Sequence, residues 1–236
     1  MEISPKILLE ICLDSVESAI AAQEGGAHRI ELCENLAEGG TTPGVAMIEY
    51  VRKSISIGLH IMIRPRPCDF CYSSPEFELM KNDIAIAKRC GADGIVFGIL
   101  NADGTVDTER TRMLVDLAKP MSVTFHRAFD VAREPFKALE DIIECGVNRL
   151  LTSGQQASAI EGIGVIGKLV KQAGNHLIIM PGAGIHEGNV NTILARSGAK
   201  EIHIGTGATR NSVVDKENIR KILTQIAGAN SEQITS

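Results

Sequence analysis

Two short segments carry the same pair of reactive residues, Glu10-Ile11-Cys12 and Glu31-Leu32-Cys33. Residues two apart share one face of an extended strand, so each segment presents a carboxylate and a thiol together. If the two strands are neighbours, about 4.8 Å apart, the thiols can share a soft ion such as Cu(I) or form a disulfide. The alternative is two small buried side chains packed as hydrophobes, as free cysteines often are. A second group lies in Thr124-Phe125-His126-Arg127-Ala128-Phe129-Asp130. Here His126 can serve as acid, base or ligand, and Asp130 stands four residues on as a candidate to orient it. Arg64 suits a carboxylate or phosphate, or an internal ion pair with Glu10 or Glu31. Glu10, Glu31, Arg64, His126 and Asp130 therefore form the candidate catalytic set.

Glycines mark two further segments, Pro181-Gly182-Ala183-Gly184 and Ile204-Gly205-Thr206-Gly207. Backbone N–H groups in such loops can approach an anion closely, though tight turning explains the glycines equally well. With Arg66, Thr152 and Ser153, the residues Gly182, Gly184, Gly205 and Gly207 are the candidates for anion or ligand binding. Cys68-Asp69-Phe70-Cys71 is a C-x-x-C pair, but it follows a strand-like run instead of opening a helix, and no second pair exists to complete a zinc site.

These residues need a scaffold that brings distant segments together. Eight β-rich runs recur: 7–12, 29–33, 59–64, 94–97, 122–126, 149–152, 177–180 and 201–204, each followed by a helix-like stretch. Helix starts and stops are legible at Asp14-Ser15, Pro75-Glu76 and Glu134-Pro135, and at Gly25-Gly26, Gly91 and Gly146. A lead-in repeats before every even run: Gly26-Ala27-His28-Arg29-Ile30, Gly91-Ala92-Asp93-Gly94-Ile95, Gly146-Val147-Asn148-Arg149-Leu150 and Gly198-Ala199-Lys200-Glu201-Ile202. Eight units with a two-unit rhythm predict an α/β fold, a single (β/α)8 TIM barrel. A doubly wound sheet is the alternative, but it usually has fewer strands. The whole chain, 1–236, reads as one domain with a polar tail from about Gly228. Strand alternation then turns Glu10, Cys12, Glu31, Cys33, His60, Met62, Arg64, Thr124, His126, Glu201 and His203 inward. An inert barrel would fill those positions with Val, Ile and Leu.

Composition narrows the partners. The chain has 236 residues, net charge −5, 44% hydrophobic residues, two Tyr, six Phe and no Trp. Mild acidity without clustered basic or aromatic residues argues against nucleic acid. Apolar runs are too short to span a membrane, and the first residues carry no signal-peptide pattern. Six cysteines in a chain of this length suit reduced thiols in the cytoplasm. Phe70 and Tyr72 are placed to form a lid over the charged mouth.

The chain resembles the CutC family, named for copper homeostasis, from Leu9 to about Thr209. The resemblance rests on Leu9-Glu10-Ile11-Cys12-Leu13-Asp14-Ser15, Gly26-Ala27-His28-Arg29-Ile30-Glu31-Leu32-Cys33, Glu38-Gly39-Gly40-Thr41-Thr42-Pro43 and Met62-Ile63-Arg64-Pro65-Arg66. It continues in Thr124-Phe125-His126-Arg127-Ala128-Phe129-Asp130, Leu151-Thr152-Ser153-Gly154 and Met180-Pro181-Gly182-Ala183-Gly184. It implies a cytoplasmic TIM barrel, often a homo-oligomer, linked to copper, with Cys12 and Cys33 as candidate Cu(I) ligands. Where the family commonly has Arg-Gly-Gly-Asp, this chain has Arg66-Pro67-Cys68-Asp69, so the C-x-x-C falls outside the family pattern. Two functions follow. One is a copper homeostasis protein whose partner is a metal ion. The other is an enzyme acting on a small, phosphorylated metabolite through Glu, His and Arg at the strand ends. A purely structural role ranks third, since a scaffold has no need of buried charge.

Overall fold

The computed structural model describes residues 7–232, and side chains as far as 228. Eight strands and eight main helices alternate. They are β1 (Leu8–Leu13), α1 (Val16–Gly25), β2 (Arg29–Leu32), α2 (Val45–Ser54), β3 (Gly58–Met62), α3 (Ser74–Arg89), β4 (Gly94–Phe97) and α4 (Thr108–Ala118). The second half contains β5 (Ser122–Phe125), α5 (Pro135–Glu144), β6 (Arg149–Thr152), α6 (Ile163–Ala173), β7 (Ile178–Pro181), α7 (Val190–Ser197), β8 (Glu201–Ile204) and α8 (Lys216–Glu232). The ladders between these eight strands are all parallel, in the order β7-β6-β5-β4-β3-β2-β1-β8, and a short antiparallel pair, Thr209–Arg210 with Val213–Val214, follows β8. β7 and β8 pack against each other across the remaining gap, so the barrel is nearly closed. This is the (β/α)8 architecture that the repeat predicts.

Local chemistry explains the elements. Ser15 caps α1 by accepting from the Ser18 N–H, and Ser73 and Glu76 form a reciprocal capping box at the start of α3. The repeated lead-in has one cause. Gly26, Gly91, Gly146 and Gly198 all take positive φ (97°, 80°, 79° and 72°) where the preceding helix ends and the chain turns towards the next strand. On the strands, Leu9, Ile11, Ile30, Leu32, Leu59, Ile61, Val123 and Phe125 are fully buried in the layer between strands and helices. The opposite parity faces the barrel interior, and this is where the ionisable residues collect.

The last helix is longer than the sequence suggests. The tail expected from about Gly228 is helical as far as Glu232, and its remainder lies outside the described residues, as does the N-terminal segment 1–6 read for a signal peptide. Among the described residues no helix is long and apolar enough to cross a membrane.

Candidate functional site

The barrel interior is built in layers, and the lowest is an ion-pair network. Arg29 opens β2, Arg149 opens β6 and Glu201 opens β8, while Glu10 sits mid-way along β1. Arg29 binds Glu10 through Nε and Glu201 Oε2 at 2.8 Å. Arg149 holds the same Glu201 in a fork, Nε to Oε2 at 2.5 Å and Nη2 to Oε1 at 3.2 Å, and its Nη1 reaches Thr124 Oγ1 at 3.3 Å. The other oxygen of Glu10, Oε1, meets His203 Nδ1 at 2.7 Å. Burial alone would raise the Glu10 carboxyl, but Arg29 and His203 outweigh it and hold the group far below the usual carboxylate range. Glu201 is lowered in the same way, with burial opposed by Arg149 and Arg29.

Above this layer sit the two thiols. Glu31 stands beside Cys12 in the β1–β2 register, and Cys33 follows at the end of β2. The two sulfurs lie 3.8 Å apart. Cys33 also donates to Glu31 Oε2 at 3.6 Å, and His203 Nε2 approaches the same oxygen at 3.9 Å. One ligand atom each from Cys12, Glu31 and Cys33 lies within 4.8 Å of the others, as do atoms from Glu10, Glu31 and His203. Cys33 is buried, whereas Cys12 is half-buried. The Cys33 bond, burial and Glu31 raise the Cys12 thiol well above its ordinary value. For Cys33 the bond to Cys12 acts the other way, but burial and Glu31 prevail and push it up to about 11. Without a metal both are therefore thiols at neutral pH. Burial and the nearby Glu10 charge raise Glu31. For His203 burial opposes the charge, but Glu31, Cys12 and Glu10 raise it well above its ordinary value, so it is an imidazolium.

The roof over Cys33 is backbone. Gly40 takes φ +85°, and a Cβ there would lie 3.2 Å from the Cys33 sulfur. Its carbonyl accepts from Arg64 Nη1 at 2.9 Å, with further Arg64 bonds to Glu38 O and Cys68 O. Arg64 thus braces the two loops over the mouth. The ion pair expected for it is made instead by Arg29, which stands opposite Glu10 on the adjoining strand β2. Phe70 reaches over the mouth, with the Arg64 guanidinium carbon 5.0 Å from its ring centre and the His126 ring also at 5.0 Å. Tyr72 is buried beneath Arg66, 5.4 Å from its ring centre.

Asp130 does not orient His126. A tight 3-10 turn, Arg127–Val131, carries its carboxylate towards the loop after β6, where it accepts from Thr152 Oγ1 (2.5 Å), the Ser153 N–H and hydroxyl, and the Gln155 N–H. Thr152 and Ser153 are thereby tied into a loop clamp. His126 Nδ1 accepts instead from the Ala128 N–H at 3.2 Å. Burial first, and the Arg64 charge second, push this ring down to about 3, so it is neutral. Arg66 is taken up by Glu76 (2.5 Å) and Asp69 (3.0 Å).

The glycine lips have a packing explanation. A Cβ on Gly207 would lie 1.9 Å from Ile185 O, and one on Gly182 would lie 2.5 Å from Leu151 Cδ1. Gly205 backs Cys12, its virtual Cβ 4.0 Å from the Cys12 Cβ, and Gly184 turns at φ +68°. Cys68 and Cys71 are exposed on the loop between β3 and α3. Sequence reasoning overlooked Arg29 and Arg149 as interior residues. Both carry the parity of Glu31, and both follow a lead-in glycine at the same spacing.

The CutC family profile matches residues 7–208. The chain belongs to the CutC family. A CutC family protein from Chromobacterium violaceum is 55% identical over 196 residues, covering 83% of this chain and 79% of that protein. The human copper homeostasis protein cutC homolog is 49% identical over 205 residues, 87% of this chain and 75% of that protein. The crystal structure of CutC from Streptococcus agalactiae superposes with a TM-score of 0.81 at 33% identity, covering 86% of this chain and all of that one (100%). Every interior residue described above falls inside the CutC match.

Proposed function

We propose that this CutC chain binds Cu(I) as cargo between Cys12 and Cys33 at the barrel mouth, in the reducing cytoplasm. The observation that carries the reading is the pair of reduced sulfurs 3.8 Å apart, one of them in a half-buried residue. Soft thiol ligands favour Cu(I) over hard divalent ions, and the name of the human relative supplies the link to copper. The surroundings suit a transient ligand pair. Both thiols must lose protons to bind a metal. Glu31 is placed to take the Cys33 proton through their existing hydrogen bond, and Cys12 can release its own to water. The His203 imidazolium beneath Glu31 offsets the negative charge that two thiolates bring. The chain's own residues thus supply ligands, a proton acceptor and a counter-charge.

The test is an anaerobic Cu(I) titration of the reduced protein against a competing chelator. We expect one high-affinity equivalent that needs both residues, weakened about a hundredfold or more in Cys12→Ser with Cys33→Ser, because second-shell losses alone reach that range. Unchanged affinity and stoichiometry in the double variant would refute the assignment. Glu31→Gln keeps both sulfurs and should weaken binding about tenfold.

A further inference from the structure

Apart from the thiols, the mouth contains buried donors that have nothing to donate to. His126 Nε2, Arg64 Nε and the Tyr72 hydroxyl are all buried without a hydrogen-bond partner, and the three residues are only 4%, 4% and 5% exposed. The donor character of His126 is fixed by geometry. Its Nδ1 faces the Ala128 N–H, which can only donate, so the neutral ring carries its proton on Nε2. Arg64 has no acceptor atom at all; three of its five N–H groups go to backbone carbonyls, and its Nε–H makes no bond. The Tyr72 oxygen lies beside the Arg64 guanidinium and can accept from it, but the guanidinium cannot accept in return, so the phenolic O–H is left over as a donor.

The three belong to one neighbourhood. Phe70 lies against both Arg64 and His126, each 5.0 Å from its ring centre, so one ring joins the two. The floor is cut to fit His126: a Cβ on Gly98 would lie 2.6 Å from its Nδ1. Buried polar groups are nearly always satisfied, and each one left over costs stability. A neutral imidazole N–H and a phenolic O–H left over beside a buried guanidinium, with the phenolic oxygen the one acceptor among the three side chains, match an acceptor-only group.

We propose that Arg64, His126 and Tyr72 form a binding site for a small oxyanion, a carboxylate or phosphate group, which enters when Phe70 swings aside. The Arg64 Nε–H supplies the charge, the neutral His126 and Tyr72 supply two further donors, and Phe70 excludes water from the bound group. This site does not depend on copper. It uses neither thiol, and the anion need not approach Glu31.

The experiment uses the reduced, metal-free full chain with inorganic phosphate in one arm and succinate in the other, at millimolar concentration. Ring-nitrogen NMR of His126 and thermal unfolding are the readouts. Phosphate, succinate or both should shift the His126 Nε2 signal and raise the melting temperature, and the arm that does so identifies the oxyanion class. Tyr72→Phe separates a site from a structural defect. It removes a donor that has no partner, so the ligand-free protein should lose at most the oxygen's contact with Arg64, while affinity for the anion falls about tenfold. The proposal is overturned if neither anion moves His126, or if an anion binds equally well to Tyr72→Phe. It is also overturned if Tyr72→Phe destabilises the ligand-free protein by more than the loss of a single Arg64–hydroxyl contact, about 1 kcal/mol, since the O–H would then have a partner already.

Discussion

The two ends of the barrel interior are built from the same residue types and differ in how far those residues are satisfied. At the lower end Arg29, Arg149, Glu10 and Glu201 bond one another in an extended network, with opposite charges paired and nothing exposed; beside it the neutral His60 leaves its Nδ1 unbonded, 3.8 Å from Glu10. At the mouth Glu31 Oε1, His126 Nε2, Arg64 Nε and the Tyr72 hydroxyl are buried and unbonded, and two thiols face each other without a disulfide. The charged members of the lower network would have to break bonds to bind anything else, and these groups at the mouth would not. Ionisable residues inside a barrel do not distinguish the two; their partners do.

The largest expected effect falls on the lower end. Arg149→Met leaves Glu201 with half its partners in a buried setting, and removing one member of a buried pair typically costs about 3–5 kcal/mol. Denaturant unfolding measures the loss, while Cu(I) affinity stays within a few-fold of wild type. A variant as stable as wild type would show that the lower network does not hold the barrel. Arg149→Met combined with Glu201→Gln should lose less than the sum of its parts, because no uncompensated charge remains.

Next is Gly207→Ala. Its Cβ would press on Ile185 O, a backbone atom that cannot swing away. A loss of about 1–3 kcal/mol is expected, and this would assign the glycine to packing between the two lips. A neutral substitution would favour a loop kept open for an anion.

Acid sensitivity sharpens the comparison further. Burial pushes His60 and His126 each from 6.5 down to about 3, so the folded state holds them neutral where the unfolded chain would protonate them. Their contribution is complete above about pH 6.5 and is lost as pH falls towards 3, because the unfolded state then binds more protons. Glu10, with its lowered pKa, acts in the same direction below the ordinary carboxylate range. His203 acts oppositely, since its raised pKa gives stability that is lost only as pH climbs through the folded value. Denaturation midpoints from pH 7 to 4 should therefore fall, and His126→Asn should flatten the slope. Ring-nitrogen NMR at pH 5.5 should find His60 and His126 neutral and His203 protonated.

The smallest effects are expected at the mouth thiols. Cys12→Ser should change stability by about 1 kcal/mol or less, since Cys12 is half-buried and its sulfur bonds weakly. A loss as large as that of Arg149→Met would make the thiols part of the scaffold and erase the distinction between the two ends.

Much of this was legible in the sequence, for reasons that particular residues make plain. The eight-unit barrel follows from the lead-in glycines, because positive φ at Gly26, Gly91, Gly146 and Gly198 leaves few other residues possible. The convergence of Cys12 and Cys33 follows from strand parity alone. Asp130 was misleading because spacing along the chain says nothing about which way a 3-10 turn faces, and this one faces β6. Arg64 was paired with the wrong groups because which cation faces Glu10 depends on register between strands: β1 sets Glu10 opposite Arg29. The unpaired donors could not be read from sequence at all, since being unsatisfied is a property of the whole surroundings.

The central claim, that the mouth pair is the metal site and the exposed Cys68 and Cys71 are not, is tested most directly by copper K-edge X-ray absorption. The measurement uses reduced protein loaded with one equivalent of Cu(I), comparing wild type with Cys12→Ser plus Cys33→Ser. A sulfur-dominated shell is expected in wild type and should disappear in the double variant. A sulfur shell that persists in the variant, or a wild-type shell of nitrogen and oxygen alone, would contradict it.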